Sequence, residues 1–219
     1  MTRVVLVPGA FRGSWMWDRV VPLLRERGLD ARAIDLRGDP DGGVPTLDDW
    51  IDDVLMAIDG TDAIVVGHSM GGVVARAATG RSSSIARVVL VDAPMIRDGQ
   101  RAVDVSGPPP PTLPAADTWI PPRPVGADQG FEAADLREWV NARLVPTPFG
   151  PSLDVARVDE AVPVRAIFFA RTPEFFPCAF TRREMDETGI TYRTVDTHHD
   201  GPLLTPESVA EAIVAALDD

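Results

Sequence analysis

Ala63-Ile64-Val65-Val66-Gly67-His68-Ser69-Met70-Gly71-Gly72 is the stretch on which the fold turns. Four apolar residues make a short buried strand, and Met70 to Thr79 reads as a helix that follows at once. Ser69 stands on the turn between them. Glycines two positions away on either side suit a strained turn in which strand and helix pass closely. Such a turn lifts the serine hydroxyl above a sheet at the amino end of a helix, where developing negative charge is favoured. A lone Gly-x-Ser-x-Gly is common. Between a strand and a helix it points to a serine nucleophile.

The same alternation extends in both directions. Arg3-Val4-Val5-Leu6-Val7 is an apolar, β-branched run that stops at Pro8-Gly9, the pattern of a buried parallel strand. The spacing predicts a helix over Trp15 to Arg27, closed by Gly28, and a strand over Ala31 to Leu36. Leu47, Ile51, Val54, Leu55 and Ile58 share one helix face, with Thr46 as the cap and Asp48 and Asp49 at the positive end. Strands are predicted at Ala86 to Val91, Val164 to Phe169 and Thr191 to Val195, and helices at Phe180 to Glu187 and Pro206 to Leu217. Strands alternating with helices imply right-handed crossovers and a mostly parallel sheet of about six strands, with helices on both faces.

Between the halves the texture changes. Ser106 to Pro124 holds eight prolines, including Pro108 to Pro111, a density incompatible with a central strand or a long helix. An extended surface loop is expected for the four-proline run, followed by a helical pattern over Phe131 to Leu144. Residues 97–158 are therefore read as a short lid inserted over the carboxyl edge of the sheet, where open α/β sheets bind ligands. Residues 1–96 and 159–219 form the core domain.

The chain has 219 residues and a formal charge of −12, which disfavours nucleic acid, anionic membrane surfaces and highly anionic substrates. Cys178 is the single cysteine, so neither a disulfide nor a cysteine-based zinc site is expected. No metal-ligand cluster, phosphate loop or dinucleotide fingerprint is present, and no cofactor is predicted. No leader pattern or long apolar run precedes the first strand, which predicts a cytoplasmic protein. A small-molecule substrate is the expected partner. Oligomeric state is not legible.

A serine hydroxyl needs a base. His68 neighbours the nucleophile and would point away from it, toward packing beneath the turn. His198 and His199 follow the last strand, where a base is expected, and spacing does not choose between them. Val5 to Trp17, with Pro8-Gly9-Ala10-Phe11-Arg12-Gly13, resembles the first strand and oxyanion loop of the esterase and hydroxynitrile lyase family of α/β-hydrolases, which includes plant methyl esterases. Gly67 to Gly72 is similar to that family's turn, and His199-Asp200-Gly201-Pro202-Leu203-Leu204-Thr205-Pro206 to its closing motif. The resemblance covers residues 3–96 and 162–217 and implies an α/β-hydrolase fold. It favours His199 as the base and places the oxyanion donors at the backbone N–H groups of Ala10 and Met70.

The resemblance also implies an aspartate a few residues past Phe169, but that position falls on Thr172 or Pro173. Glu174, displaced by one or two residues, is taken as the acid. Asp92, at the end of the preceding strand, is the rival. Lyases of this family carry a threonine and a lysine where this chain has Gly9 and Asp200, which favours hydrolysis. The expected activity is cleavage of an ester, or similar acyl bond, of a small and largely apolar substrate through an acyl-enzyme on Ser69. Trp15, Trp17, Trp119, Phe131 and Trp139 are candidates for the pocket, although core or lid packing explains them equally well. Two other classes stay open: altered chemistry on this fold (a lyase, cyclase or biosynthetic transferase) and a non-catalytic binding protein.

Overall fold

A computed structural model describes residues 3–108 and 111–218. Pro109 and Pro110 of the four-proline run, and Met1 and Thr2 before the first strand, lie outside the described residues. The strands are β1 (Arg3–Val7), β2 (Asp30–Ala33), β3 (Ala63–His68), β4 (Ile85–Val91), the two-residue β5 (Trp119–Ile120) and β6 (Thr147–Pro148), then β7 (Val164–Phe169) and β8 (Arg193–Val195). Six of them form one parallel sheet in the order β2-β1-β3-β4-β7-β8. The chain runs outward from β1 to β2, then crosses back so that β3 pairs on the other side of β1. That reversal opens a crevice at the carboxyl ends of β1 and β3.

The helices are α1 (Val20–Glu26), α2 (Leu47–Ile58), α3 (Met70–Ala78), α4 (Ala134–Asn141), α5 (Gly150–Leu153), α6 (Pro177–Thr188), α7 (Gly201–Leu204) and α8 (Pro206–Asp218). Alternate strand residues face opposite sides and build two cores. Val5, Val65 and Leu90 pack with α2 and α3, whereas Val4, Val66 and Val89 pack with α1 and α8. Burial on both faces explains why the strands read as continuous apolar runs rather than alternating ones. No helix among the described residues is long and apolar enough to cross a membrane.

Local chemistry sets the element ends. The Thr46 hydroxyl accepts from Asp49 N–H at 3.2 Å, and the Asp49 carboxylate accepts from Thr46 N–H at 2.8 Å, a reciprocal cap on α2. The helix expected over Trp15 to Arg27 divides into a 3-10 turn at Ser14–Trp17 and α1. Pro22 has no N–H to give and is tolerated only in a first turn, so the α-helix restarts just before it. β2 is shorter than the predicted Ala31 to Leu36. Ala33 pairs with Leu6 near the end of β1, and Pro8 beyond it lacks a donor. The predicted Phe131 to Leu144 helix shrinks to α4, after which Asn141 turns its side chain to both backbone groups of Val125.

Residues 97–158 lie between β4 and β7. They carry α4, α5 and the antiparallel β5–β6 pair, in which Trp119 faces Pro148 and Ile120 faces Thr147. Two-residue strands are too short to leave a periodic signal. Residues 106–108 and 111–118 form neither helix nor strand, as their proline content requires.

Candidate active site

Ser69 sits where β3 runs directly into α3, with φ 50° and ψ −123°. A non-glycine residue with this backbone is strained by roughly 1–3 kcal/mol, and the packing around it must hold it there. The neighbouring glycines show how close that packing is. A Cβ on Gly67 would lie 2.3 Å from the Gly71 carbonyl oxygen, and one on Gly71 would lie 2.5 Å from that of Pro8. Ser69 N–H donates to Val91 O at 3.2 Å, which ties the turn to the end of β4. Met70 is the first residue of α3, so its N–H has no partner within the helix.

The loop after β1 lies against this turn. A Cβ on Gly9 would come 2.7 Å from His68 Nδ1 and 3.0 Å from Ser69 Cβ. Phe11 has φ 66°. Its N–H donates to Thr147 Oγ1 at 2.6 Å and its carbonyl accepts from Val145 N–H at 3.3 Å. The Arg12 guanidinium grips both oxygens of Asp200, at 3.0 and 2.9 Å, in a pair almost closed to solvent. Burial works to raise the Asp200 carboxyl, but attraction to Arg12 and the hydrogen bonds from it hold it below the usual carboxylate range. The loop after β1 is thus fastened to the 97–158 segment on one side and to the residue after His199 on the other. Sequence reading missed both ties, because each joins residues more than 130 positions apart.

His199 and Asp92 meet above the sheet. His199 Nδ1 lies 2.6 Å from Asp92 Oδ2. Asp92 Oδ2 also accepts from Thr172 Oγ1 at 2.5 Å, and Oδ1 accepts from Phe169 N–H at 3.0 Å. Asp92 is 1% exposed and has φ 45°, a left-handed conformation that Asp tolerates better than most residues. Burial pushes its carboxyl up, and the hydrogen bond and charge of His199, with the Thr172 and Phe169 donors, outweigh that and bring it below its ordinary value.

Glu174 does not occupy the position expected of the acid. Its carboxylate is 64% exposed and is paired with Arg182 and Arg183 on the surface. The carboxylate beside His199 is that of Asp92. The physical reason is the Phe169–Thr172 turn, in which Thr172 N–H donates to Phe169 O at 3.3 Å. The turn aims Thr172 inward, and Pro173 then carries the chain outward, so Glu174 faces solvent. Val91-Asp92-Ala93-Pro94, with a threonine where the resemblance implied an acid, was the available signal.

The other histidines are placed differently. His198 packs against Gly130, where an added Cβ would lie 2.7 Å from its ring. His68 is buried beneath the turn, its ring 4.6 Å from that of His199, and its Nε2–H donates to the His199 carbonyl at 2.8 Å. Burial first, then the His199 charge, lowers its pKa to about 3, so it stays neutral. Burial and the nearby Asp92 charge push the Cys178 thiol up, keeping it protonated. Asp92, Cys178 and His199 form the one group of potential metal donors among the described residues. Two of the three are already bonded to each other and the third holds its proton, a poor set for a cation.

Ala10, Ser69 and Met70 border one cavity of about 450 Å³. Val103, Leu113 and Phe149 line it from the 97–158 segment, and no charged side chain does so among the described residues. The aromatic candidates lie elsewhere. Trp17 and Phe131 are in the core, Trp15 and Trp139 pack edge to face, and Trp119 covers Gly38.

Comparison with known proteins agrees with this architecture. A carbendazim hydrolyzing esterase of Nocardioides sp. (strain SG-4G) is 31% identical over 177 residues, covering 67% of this chain and 69% of that protein. Putative methylesterase 12 of Arabidopsis thaliana, a chloroplastic protein, is 33% identical over 113 residues, covering 47% of this chain. The match spans 32% of that methylesterase, about a third of its length. The crystal structure of a pyrethroid hydrolase from Sphingobium faniae JZ-2 shares the fold, with a TM-score of 0.79 and 20% identity over 99% of this chain and 97% of that one. Residues 4–212 match the alpha/beta hydrolase family, and the chain belongs to it.

Proposed function

We propose that the protein is a serine esterase that cleaves small, neutral, largely apolar esters. Ser69 is the nucleophile, His199 the general base, Asp92 the acid that orients it, and the N–H groups of Ala10 and Met70 the oxyanion donors. One observation carries the reading: a buried carboxylate held 2.6 Å from His199 Nδ1, at the strand end beside the strained Ser69 turn. That contact leaves Nε2 as the nitrogen free to take a proton.

Ser69 Oγ attacks the ester carbonyl carbon as its proton passes to His199 Nε2. The carbonyl oxygen becomes an oxyanion held by Ala10 and Met70 N–H. Asp92 stabilises the imidazolium. His199 then returns the proton to the departing alkoxide as the C–O bond breaks, leaving an acyl group on Ser69. Water, deprotonated by His199, attacks that acyl carbon; the acid leaves and Ser69 regains its proton. Asp200 is committed to Arg12, so the residue after His199 offers no cation to a leaving group such as cyanide, which favours hydrolysis.

The uncharged lining of the cavity beside Ser69 supports a neutral, apolar substrate. On a panel of p-nitrophenyl esters, neutral short acyl chains should turn over, and acyl chains ending in a carboxylate should be poor substrates. Ser69→Ala should abolish turnover. Hydrolysis of no ester, or equal activity in the alanine variant, would contradict the proposal.

A further inference from the structure

The carboxylate of Asp92 has to be fixed in plane as well as in place. The torsion that rotates an aspartate carboxylate is broad and soft. Here the oxygens are pinned from different sources. Phe169 N–H holds Oδ1 at 3.0 Å, and Thr172 Oγ1 holds Oδ2 at 2.5 Å, the same oxygen that faces His199 Nδ1 at 2.6 Å. A carboxylate only accepts, so the Thr172 hydroxyl is the donor. Thr172 is 6% exposed and stands on the turn that supplies the Phe169 donor. The adjoining Arg171 N–H donates to Thr197 O at 3.0 Å, which anchors that turn to the loop carrying His199. The protonated Cys178 thiol lies beside the same carboxylate and competes for it, so a carboxylate released from Thr172 would have another donor to turn toward.

We infer that Thr172 is a positioning residue: its hydroxyl locks the Asp92 carboxylate so that Oδ2 faces His199 Nδ1. The inference rests on the esterase reading for its effect on rate, but the contact itself exists in the resting protein. A donor to a charged group is worth about 10- to 100-fold when removed from a buried site. Thr172→Val removes the hydroxyl while keeping the shape, Thr172→Ala removes the hydroxyl and most of the bulk, and Thr172→Ser keeps the hydroxyl.

The test pairs kinetics on a p-nitrophenyl ester with the low-field proton resonance of His199 Nδ1–H, recorded without substrate. The valine and alanine variants should lose about 10- to 100-fold in kcat with little change in KM. Their His199 resonance should move upfield and exchange faster with water, and the serine variant should resemble wild type in both readouts. Wild-type resonance and kcat in the valine and alanine variants would overturn the inference, as would a serine variant as impaired as alanine. If valine does not fold, the alanine and serine pair decides. If Ser69→Ala retains activity, the esterase reading fails, while the resonance comparison still decides the role of Thr172.

Discussion

Two carboxylates competed for one role, and burial and hydrogen bonding separate them. Asp92 has a left-handed backbone, almost no exposure and donors on both oxygens, whereas Glu174 is a surface partner of two arginines. Exposed ion pairs contribute little, so Glu174→Gln should leave kcat within about twofold of wild type. Asp92→Asn should lower kcat by up to about 10,000-fold, because the amide favours the wrong imidazole tautomer and no longer stabilises the imidazolium. Steady-state kinetics on one ester checks both. Loss of activity in the Glu174 variant alone would reverse the assignment. The Ser69 turn was legible in the sequence because its glycines answer a steric demand within five residues. Asp92 and Glu174 were both legible as candidates, but the choice between them was not, because it depends on how two loops 107 positions apart meet.

At the scale of elements, the loop after β1 has few internal bonds and is held by its neighbours. Arg12 and Asp200 join it to the His199 loop, and Thr147 and Val145 join it to the segment beyond α4. Arg12→Met would leave the Asp200 charge buried and unpaired, at a cost of about 3–5 kcal/mol in unfolding free energy. Adding Asp200→Asn should recover much of that loss, since the buried charge goes with its partner. Urea unfolding of the single and double variants measures it, and additive losses would contradict the coupling. Strands and helices that bury whole faces, such as β3, α2 and β7, were legible from hydrophobic pattern and caps. The β5–β6 pair was not, because two residues carry no period and both strands lie in a proline-rich segment.

Over the whole molecule, the site is built from buried groups that resist protonation, and this sets acid stability. His68 has its pKa lowered to about 3 from 6.5, chiefly by burial. Between those values the unfolded chain binds a proton that the folded chain refuses, so stability falls as pH drops from about 6.5 toward 3. The cost is about 1.4 kcal/mol per pH unit, or about 2 kcal/mol between pH 7 and 5. Asp92 and Asp200 act in the same direction at lower pH, since each has its carboxyl held below the ordinary value of 3.8 and loses that stabilisation as it protonates. In His68→Gln, which keeps a donor for the His199 carbonyl, the loss between pH 7 and 5 should shrink by about 2 kcal/mol. Chemical unfolding at both pH values measures this, and an unchanged slope would place the titrating group elsewhere. The sheet order puts the Ser69 turn, the Gly9–Ala10 loop and the Asp92–His199 pair at one carboxyl edge, the assembly that in the proposed esterase makes Ser69 a nucleophile. The most direct measurement is intact-mass analysis after treatment with a serine-reactive phosphonate. One adduct per chain is expected, located on Ser69 by peptide mapping and absent from Ser69→Ala. An unlabelled wild type, or an adduct that survives in Ser69→Ala, would contradict it.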